Sequence, residues 1–168
     1  MEQKNKMDRH ASSSAQRILL FFTVVFPIVI ADQLSKLWIR THLTLGESLP
    51  ETGFFRLTHG QNTGAVFGIF QGNNDILTIL VIIEAIIILE CFFFFRARYS
   101  FLDTRLNTVS LGLILGGLFG NLIDRIRLGY VTDFIGVGRW PDFNVADSSG
   151  VIGVIMLAFS ILVFSRNR

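Results

Sequence analysis

Three aspartates, Asp133, Asp142 and Asp147, fall within the stretch "VTDFIGVGRWPDFNVADSSG", and the last stands at the mouth of an apolar run from Val151 to Phe164. Carboxylates beside lipid are costly, so they require partners or a wet cavity. Two carboxyl groups brought close together cannot both ionise readily: one keeps a proton and the other becomes a base. Such a pair can turn water on a peptide carbonyl, the base taking water's proton and the acid donating to the developing oxyanion and then to the leaving amine. Spacing alone weighs this chemistry evenly against a structural polar cluster. Asp147 also suits a helix N-cap or dipole partner, with Ser148 and Ser149 able to cap equally well. Asp133 also fits a plain loop residue, and Asp142, after Pro141, ordinary turn chemistry.

Other polar residues lie along apolar segments. Asn121, Asp124 and Arg125 fall at i, i+3 and i+4, so one helical face would carry an amide, a carboxylate and a guanidinium. Arg125 and Arg127 could instead snorkel outward as interfacial anchors, a reading that suits Arg127 better. Asn144 and Asp147, three apart, share a face if a helix has begun by Asn144. Asp32 and Gln33 precede Lys36, which is either an interfacial partner of Asp32 at i,i+4 or a sign that Asp32 faces a polar interior. Glu84 and Glu90 are six apart and share no face; Glu84, nearer the middle of its segment, must be neutral or paired. His10, His42 and His59 are scattered and form no metal-binding pair, so no metal site is expected. No GxSxG elbow, P-loop or Ser-Lys arrangement is present. The one cysteine, Cys91, lies in "ILECFFFF" and excludes an intrachain disulfide.

The elements that must position these residues are membrane helices. The chain has 168 residues, is 51% hydrophobic and has a mean hydropathy of +0.53, far more apolar than a soluble domain. A net charge of +2 with no basic patch excludes nucleic-acid binding. Four stretches meet the length of about 20 apolar residues that a spanning helix needs: about 18–38, 76–95, 108–126 and 145–164. The first runs on into "DQLSKLWIR" without a small-residue cleavage site, so it is a retained span. Nine Lys and Arg residues fall on the side of both termini and six on the other, which predicts cytoplasmic termini and puts 39–75 and 127–144 on the outer face. Between spans one and two, "GFFRLTHGQNTGAVFGIFQGNND" mixes aromatic and β-branched residues with glycine, which predicts short strands. Its glycines would let residues 62–72 move as a cover. Gly112, Gly116 and Gly120 recur every four residues, a pattern that admits a second helix closely. The expected fold is therefore an all-α membrane protein: four transmembrane helices with a small outer-face β-structure over 44–72, preceded by a disordered polar tail at 1–16.

Three functions from different classes are compatible with these features. One is a peptidase using an aspartate pair. Another is a small transporter or channel subunit with an acid path through Asp32, Glu84, Asp124, Arg125 and Asp147. The last is a scaffold that binds partner helices through the Gly112, Gly116 and Gly120 face.

The motifs "ADQLSK", "NTGAVFG", "GGLFGNLIDRIRLGYVTDF" and "FNVADSS", in this order on four spans, resemble the lipoprotein signal peptidase family, signal peptidase II. The resemblance runs from about residue 28 to 164. It implies a bacterial inner-membrane aspartyl endopeptidase, multi-pass, that removes the signal peptide of diacylglyceryl-modified prolipoproteins by cleaving before the lipid-modified cysteine. By that resemblance the catalytic dyad is Asp133 and Asp147. Asp32 and Asp124 match supporting acids, while Asn62, Asn121, Arg125 and Asn144 match polar residues that shape the site. The resemblance also implies an outer β-cradle and a substrate whose lipid sits between helices; with the charge distribution it puts the active site near the outer face, and the expected organisation is one peptidase domain over 17–168. No cofactor, metal or nucleic acid is implied, and the expected state is a monomer. Asp142, Glu84 and the amino-terminal extension match no part of the pattern.

Overall fold

The computed structural model describes residues 2–64, 71–99 and 102–166. Its elements run α1 (Glu2–His42), β1 (Ser48–Leu49), β2 (Phe55–Asn62), α2 (Asn74–Glu90), a π-helical turn (Cys91–Phe95), α3 (Arg96–Arg98), α4 (Arg105–Leu128), β3 (Val131–Val137) and α5 (Val145–Arg166). Four helical stretches are long and apolar enough to cross a membrane: Ser14–His42, Asn74–Phe95, Arg105–Leu128 and Val145–Phe164. They match the four expected spans to within a few residues. The shortest has 20 residues, about 30 Å of helix, the thickness of a hydrocarbon core. α1 begins at Glu2, where the sequence suggests a disordered tail. Residues 2–16 contain no Gly or Pro that would stop the helix from propagating backwards.

α4 is the centre of the bundle and packs on α1, α2 and α5. Its glycines set the distances. A Cβ on Gly116 would stand 2.9 Å from the Cβ of Ile28, and one on Gly112 3.2 Å from the main-chain oxygen of Phe21, so both glycines hold α1. A Cβ on Gly117 would collide with the main-chain oxygen of Ala146, so the next face of α4 holds α5 in the same manner. The glycine face that a scaffold would offer to a partner is therefore occupied by the protein's own α1. Phe21 and Phe92 stack at 3.9 Å in the apolar core with Leu111 and Leu115. Outward-facing residues such as Phe26, Ile86, Ile155 and Leu162 are exposed, as lipid-facing side chains should be.

The strands form one antiparallel sheet in the order β1-β2-β3. The sheet is larger than the sequence suggests. β1 and β2 lie within the expected β-rich insertion, but β3 comes from the connection between spans three and four, read from sequence as loop. Residues 65–70 of the insertion, and with them most of the suggested cover, lie outside the described residues. β2 pairs with β3 from Phe55 opposite Val137 to Asn62 opposite Val131, with a register shift between Leu57 and Gly60. Ile39 of α1 and Leu43, the residue after its end, pack on Phe134, which seats the sheet on the end of the bundle.

Candidate active site

Gly60 of β2 lies opposite Asp133 of β3, and the carboxyl of Asp133 lies where β2 brings Asn62 alongside. A Cβ on Gly60 would stand 3.1 Å from the main-chain oxygen of Asp133, so glycine lets the strands close at this point. Asn62 donates its amide to Oδ2 of Asp133 at 2.9 Å, and Asn144 donates to Oδ1 at 2.7 Å.

Asn144 also starts α5. Its side-chain oxygen accepts from the main-chain N–H of Asp147 at 2.9 Å, while its own main-chain N–H donates to Oδ2 of Asp147 at 3.1 Å. This is a capping box in which Asp147 is the acid three residues into the helix. Asn144, not Asp147, is thus the N-cap, and Ser148 and Ser149 bond back within the helix instead. Oδ1 of Asp147 accepts from the amide of Asn121 at 2.7 Å. Both aspartates line one cavity of about 890 Å³, together with Asn62, Trp140, Phe143 and Ser148.

Beneath the pair lies a buried ionic cluster. Lys36 Nζ stands 2.8 Å from Asp32 and 3.4 Å from Asp124, and donates to Oδ1 of Asn121 at 2.8 Å. The same Asn121 oxygen accepts from the amide of Asn144 at 3.1 Å. Asp32 has its other oxygen on the main-chain N–H of Ala146 at 2.9 Å, at the amino end of α5. Asp124 accepts from the main-chain N–H of Thr132 at 3.0 Å, one residue before Asp133. Arg40 Nη1 donates to the Thr132 hydroxyl at 2.9 Å. Gly120 leaves room for this cluster, since a Cβ there would fall 2.6 Å from Oδ2 of Asp32.

The eight residues singled out by sequence all gather at this end of the bundle. They do not share one surface, however. Asn121 and Asp124 face Lys36, whereas Arg125 turns to α2 and the chain after β2, donating to the main-chain oxygen of Gly64 at 2.9 Å and to Oδ1 of Asn74 at 3.4 Å. Arg127 is exposed, as an interfacial anchor would be. Sequence reasoning missed Lys36 as the common partner, and it missed Arg40 and Thr132 altogether. The i,i+4 spacing from Asp32 was the only signal for Lys36, and it indicates a pair without indicating its burial. For Thr132 the signal was the β-branched and aromatic run "YVTDFIGV", which reads as a strand. A transporter path would string acids along the depth of the membrane. Asp32, Asp124 and Asp147 instead crowd around Lys36 and Asn121 at one end.

Electrostatically, the site holds the Asp133 carboxyl away from its ordinary state. Burial, and next the negative charge of Asp147, push Asp133 up to about 7, against the opposing effect of the Asn62 and Asn144 amides and Lys36. Near neutrality Asp133 can therefore hold or release a proton. Asp147, like Asp133, accepts two N–H donors. Two carboxyls on one cavity wall, coupled in this manner, can divide the roles of acid and base toward a water. Among the described residues no His, Cys, Asp or Glu group is disposed to hold a metal ion.

A family model described as signal peptidase (SPase) II matches residues 24–163. A lipoprotein signal peptidase of Dehalococcoides mccartyi is 49% identical over 150 residues, which cover 89% of this chain and 93% of that protein. One of Moorella thermoacetica is 43% identical over 144 residues, covering 85% and 93%. Among solved structures, a bacterial membrane enzyme determined by the in meso method at 2.3 Å resolution superimposes with a TM-score of 0.77 at 33% identity, over 92% of both chains.

Proposed function

The chain belongs to the signal peptidase II family, a multi-pass bacterial membrane protease, and from that premise we propose that it removes signal peptides from prolipoproteins by aspartyl chemistry at Asp133 and Asp147. The observation that carries the proposal is Asn144. Its side chain donates to Asp133 while its main chain donates to Asp147, so one residue holds both carboxyls at the wall of one cavity.

Asp133 carries the shared proton at rest and Asp147 is the base, although titration belongs to the pair. In the first step Asp147 takes a proton from water as its oxygen attacks the scissile carbonyl, and Asp133 gives its proton to the carbonyl oxygen. In the second, the tetrahedral diol collapses: its hydroxyl proton returns to Asp133, the C–N bond breaks, and Asp147 passes its proton to the departing nitrogen. One water is consumed, and both carboxyls return to their starting states without a cofactor.

The substrate is a diacylglyceryl-modified prolipoprotein cut before its lipid-bearing cysteine. The lipid lies against the bundle while the peptide enters the cavity. With both termini cytoplasmic, by the distribution of Lys and Arg, the site opens near the outer face of the inner membrane. Asp32, Asp124 and Lys36 position the pair, Asn62, Asn121 and Asn144 hold it, and Arg125 orders the chain after β2. The enzyme acts as a monomer.

The test is cleavage of such a prolipoprotein in detergent by wild type, Asp133→Asn, Asp147→Asn and Glu51→Gln, each shown to be folded. Loss of at least a thousandfold in the first two variants only, a scale expected when an essential proton-transfer group is removed, supports the reading. Cleavage that survives either aspartate substitution ends it.

A further inference from the structure

A second cleft, of about 540 Å³, lies between α2 and α5 with α4 as its floor. α2 and α5 both pack on α4 without forming an extensive helix pair of their own, so the cleft opens sideways toward lipid. Its lining is mostly apolar, with Asn121 and Arg125 at one end and Glu84 on the α2 wall. Asn121 links the two cavities: it lines this cleft and donates at 2.7 Å to Asp147, which lines the first. The cleft therefore runs from the bilayer interior up to Asn121, the amide that holds Asp147. Gly150 adds a notch, since a Cβ built there meets nothing within 4 Å.

Glu84 is the anomaly. It is the eleventh of the 22 residues of the second span, it is exposed, and it makes no hydrogen bond or ion pair with a described residue. A carboxyl at that depth is strongly disfavoured unless something partners it. The active-site cluster does not use it. Among the described residues nothing partners it, which leaves that role to whatever fills the cleft.

We propose that Glu84 determines specificity: the cleft takes the membrane-embedded apolar segment of the peptide being cut, and the Glu84 carboxyl selects segments with a serine or threonine hydroxyl at its level. This inference rests on the peptidase reading. A hydroxyl both donates and accepts, so it satisfies the carboxyl in either protonation state. A substrate lysine would bring its own cost of burying charge in the bilayer. The level follows from α4: Gly117 and Ile114, which share the cleft with Glu84, lie four and seven residues before Asn121. At the helical rise that is about 6–10 Å below the aspartate pair, or roughly four to seven residues of a helical substrate before the scissile bond.

The experiment uses full-length protein and a diacylglyceryl prolipoprotein whose apolar segment is all leucine, with single Leu→Ser replacements four to seven residues before the cleavage point. The preference for the best serine substrate over the leucine one, read as a ratio of kcat/KM, should fall about tenfold in Glu84→Leu, the scale of one buried hydrogen bond. Glu84→Gln, which keeps a donor and an acceptor, should restore most of it. Gly150→Leu, which fills the notch and favours the helix, should slow both substrates. An unchanged preference in Glu84→Leu at all four positions, or full activity in Gly150→Leu, overturns the inference. Failure of the peptidase reading looks different: wild type cuts neither substrate. A photo-crosslinking residue at the same substrate position gives a readout without cleavage: in Asp133→Asn it should label α2 or α5 within the cleft, and labelling only elsewhere also overturns the inference.

Discussion

Lys36 Nζ stands 2.8 Å from a carboxylate oxygen of Asp32, and neither side chain reaches solvent. A buried ion pair adds little to stability over an apolar pair, but removing one partner leaves an uncompensated charge at a cost of about 3–5 kcal/mol. Lys36 also neutralises Asp124. Lys36→Met should therefore lower the unfolding free energy in detergent by about 3–5 kcal/mol, and the double variant Lys36→Met with Asp32→Asn should recover part of it. A Lys36→Met protein as stable as wild type would show that the cluster is not held by charge.

On the proposed mechanism Asp133 should set an alkaline limit on activity. Its carboxyl is pushed up to about 7, first by burial and then by the charge of Asp147, so the proton needed by the carbonyl oxygen is lost as pH rises through that value. Cleavage should fall above about pH 7. Asn62→Ala removes a donor that favours the ionised form, so its limb should move to higher pH while the plateau drops. A pH-rate profile in detergent decides this, and an unshifted or downward-shifted limb contradicts the assignment.

The same shift links pH to stability. The folded value of Asp133 lies above its ordinary 3.8, so the folded state binds the proton more tightly than the unfolded one. This contribution is fully present below about pH 4 and is lost as pH rises to about 7. Over that window it amounts to at most about 4 kcal/mol. In Asp133→Asn the contribution is absent, so the variant should gain stability relative to wild type as pH rises from 4 to 7. Thermal unfolding at several pH values checks the sign.

Gly120 should prove more important to activity than to folding. A Cβ there falls 2.6 Å from Oδ2 of Asp32 and 3.0 Å from the Cβ of Ala146. Gly120→Ala must push Asp32 off Lys36 or lift the start of α5, at a cost of about 1–3 kcal/mol. Because Asp147 follows Ala146 directly, cleavage should drop by more than tenfold even where the protein remains folded. Gly116→Ala is the contrast: its Cβ meets Ile28 and the main-chain oxygen of Val25, away from the aspartates. It should cost stability of the same order with a smaller loss of rate.

The sequence made the spans legible because lipid imposes a simple demand of about 20 apolar residues closed on themselves by hydrogen bonds. The position of Asn121, Asp124 and Arg125 on a helix end followed in the same way. Their separate directions did not, because side chains at i, i+3 and i+4 spread over enough of the helix surface to meet α1, α2 and α5 individually. β3 was read as loop despite its β-branched and aromatic residues: it is seven residues long, lies between two stronger signals, and its pairing with β2 is interrupted by a register shift. The assignment of Asp133 and Asp147 as a pair came from the resemblance of motifs, not from spacing. Fourteen residues of separation said nothing about a strand and a helix that meet only in the folded chain.

Asn144 has a mechanical consequence. Asp133 rides on a sheet and Asp147 on a membrane helix, two bodies with different surroundings, and among the described residues Asn144 alone is bonded to both carboxyls. The gap between the two acids therefore works as a gauge of the tilt between sheet and bundle. On the proposed mechanism, a compound that wedged the sheet open at the Phe134 seat should stop cleavage without touching either aspartate.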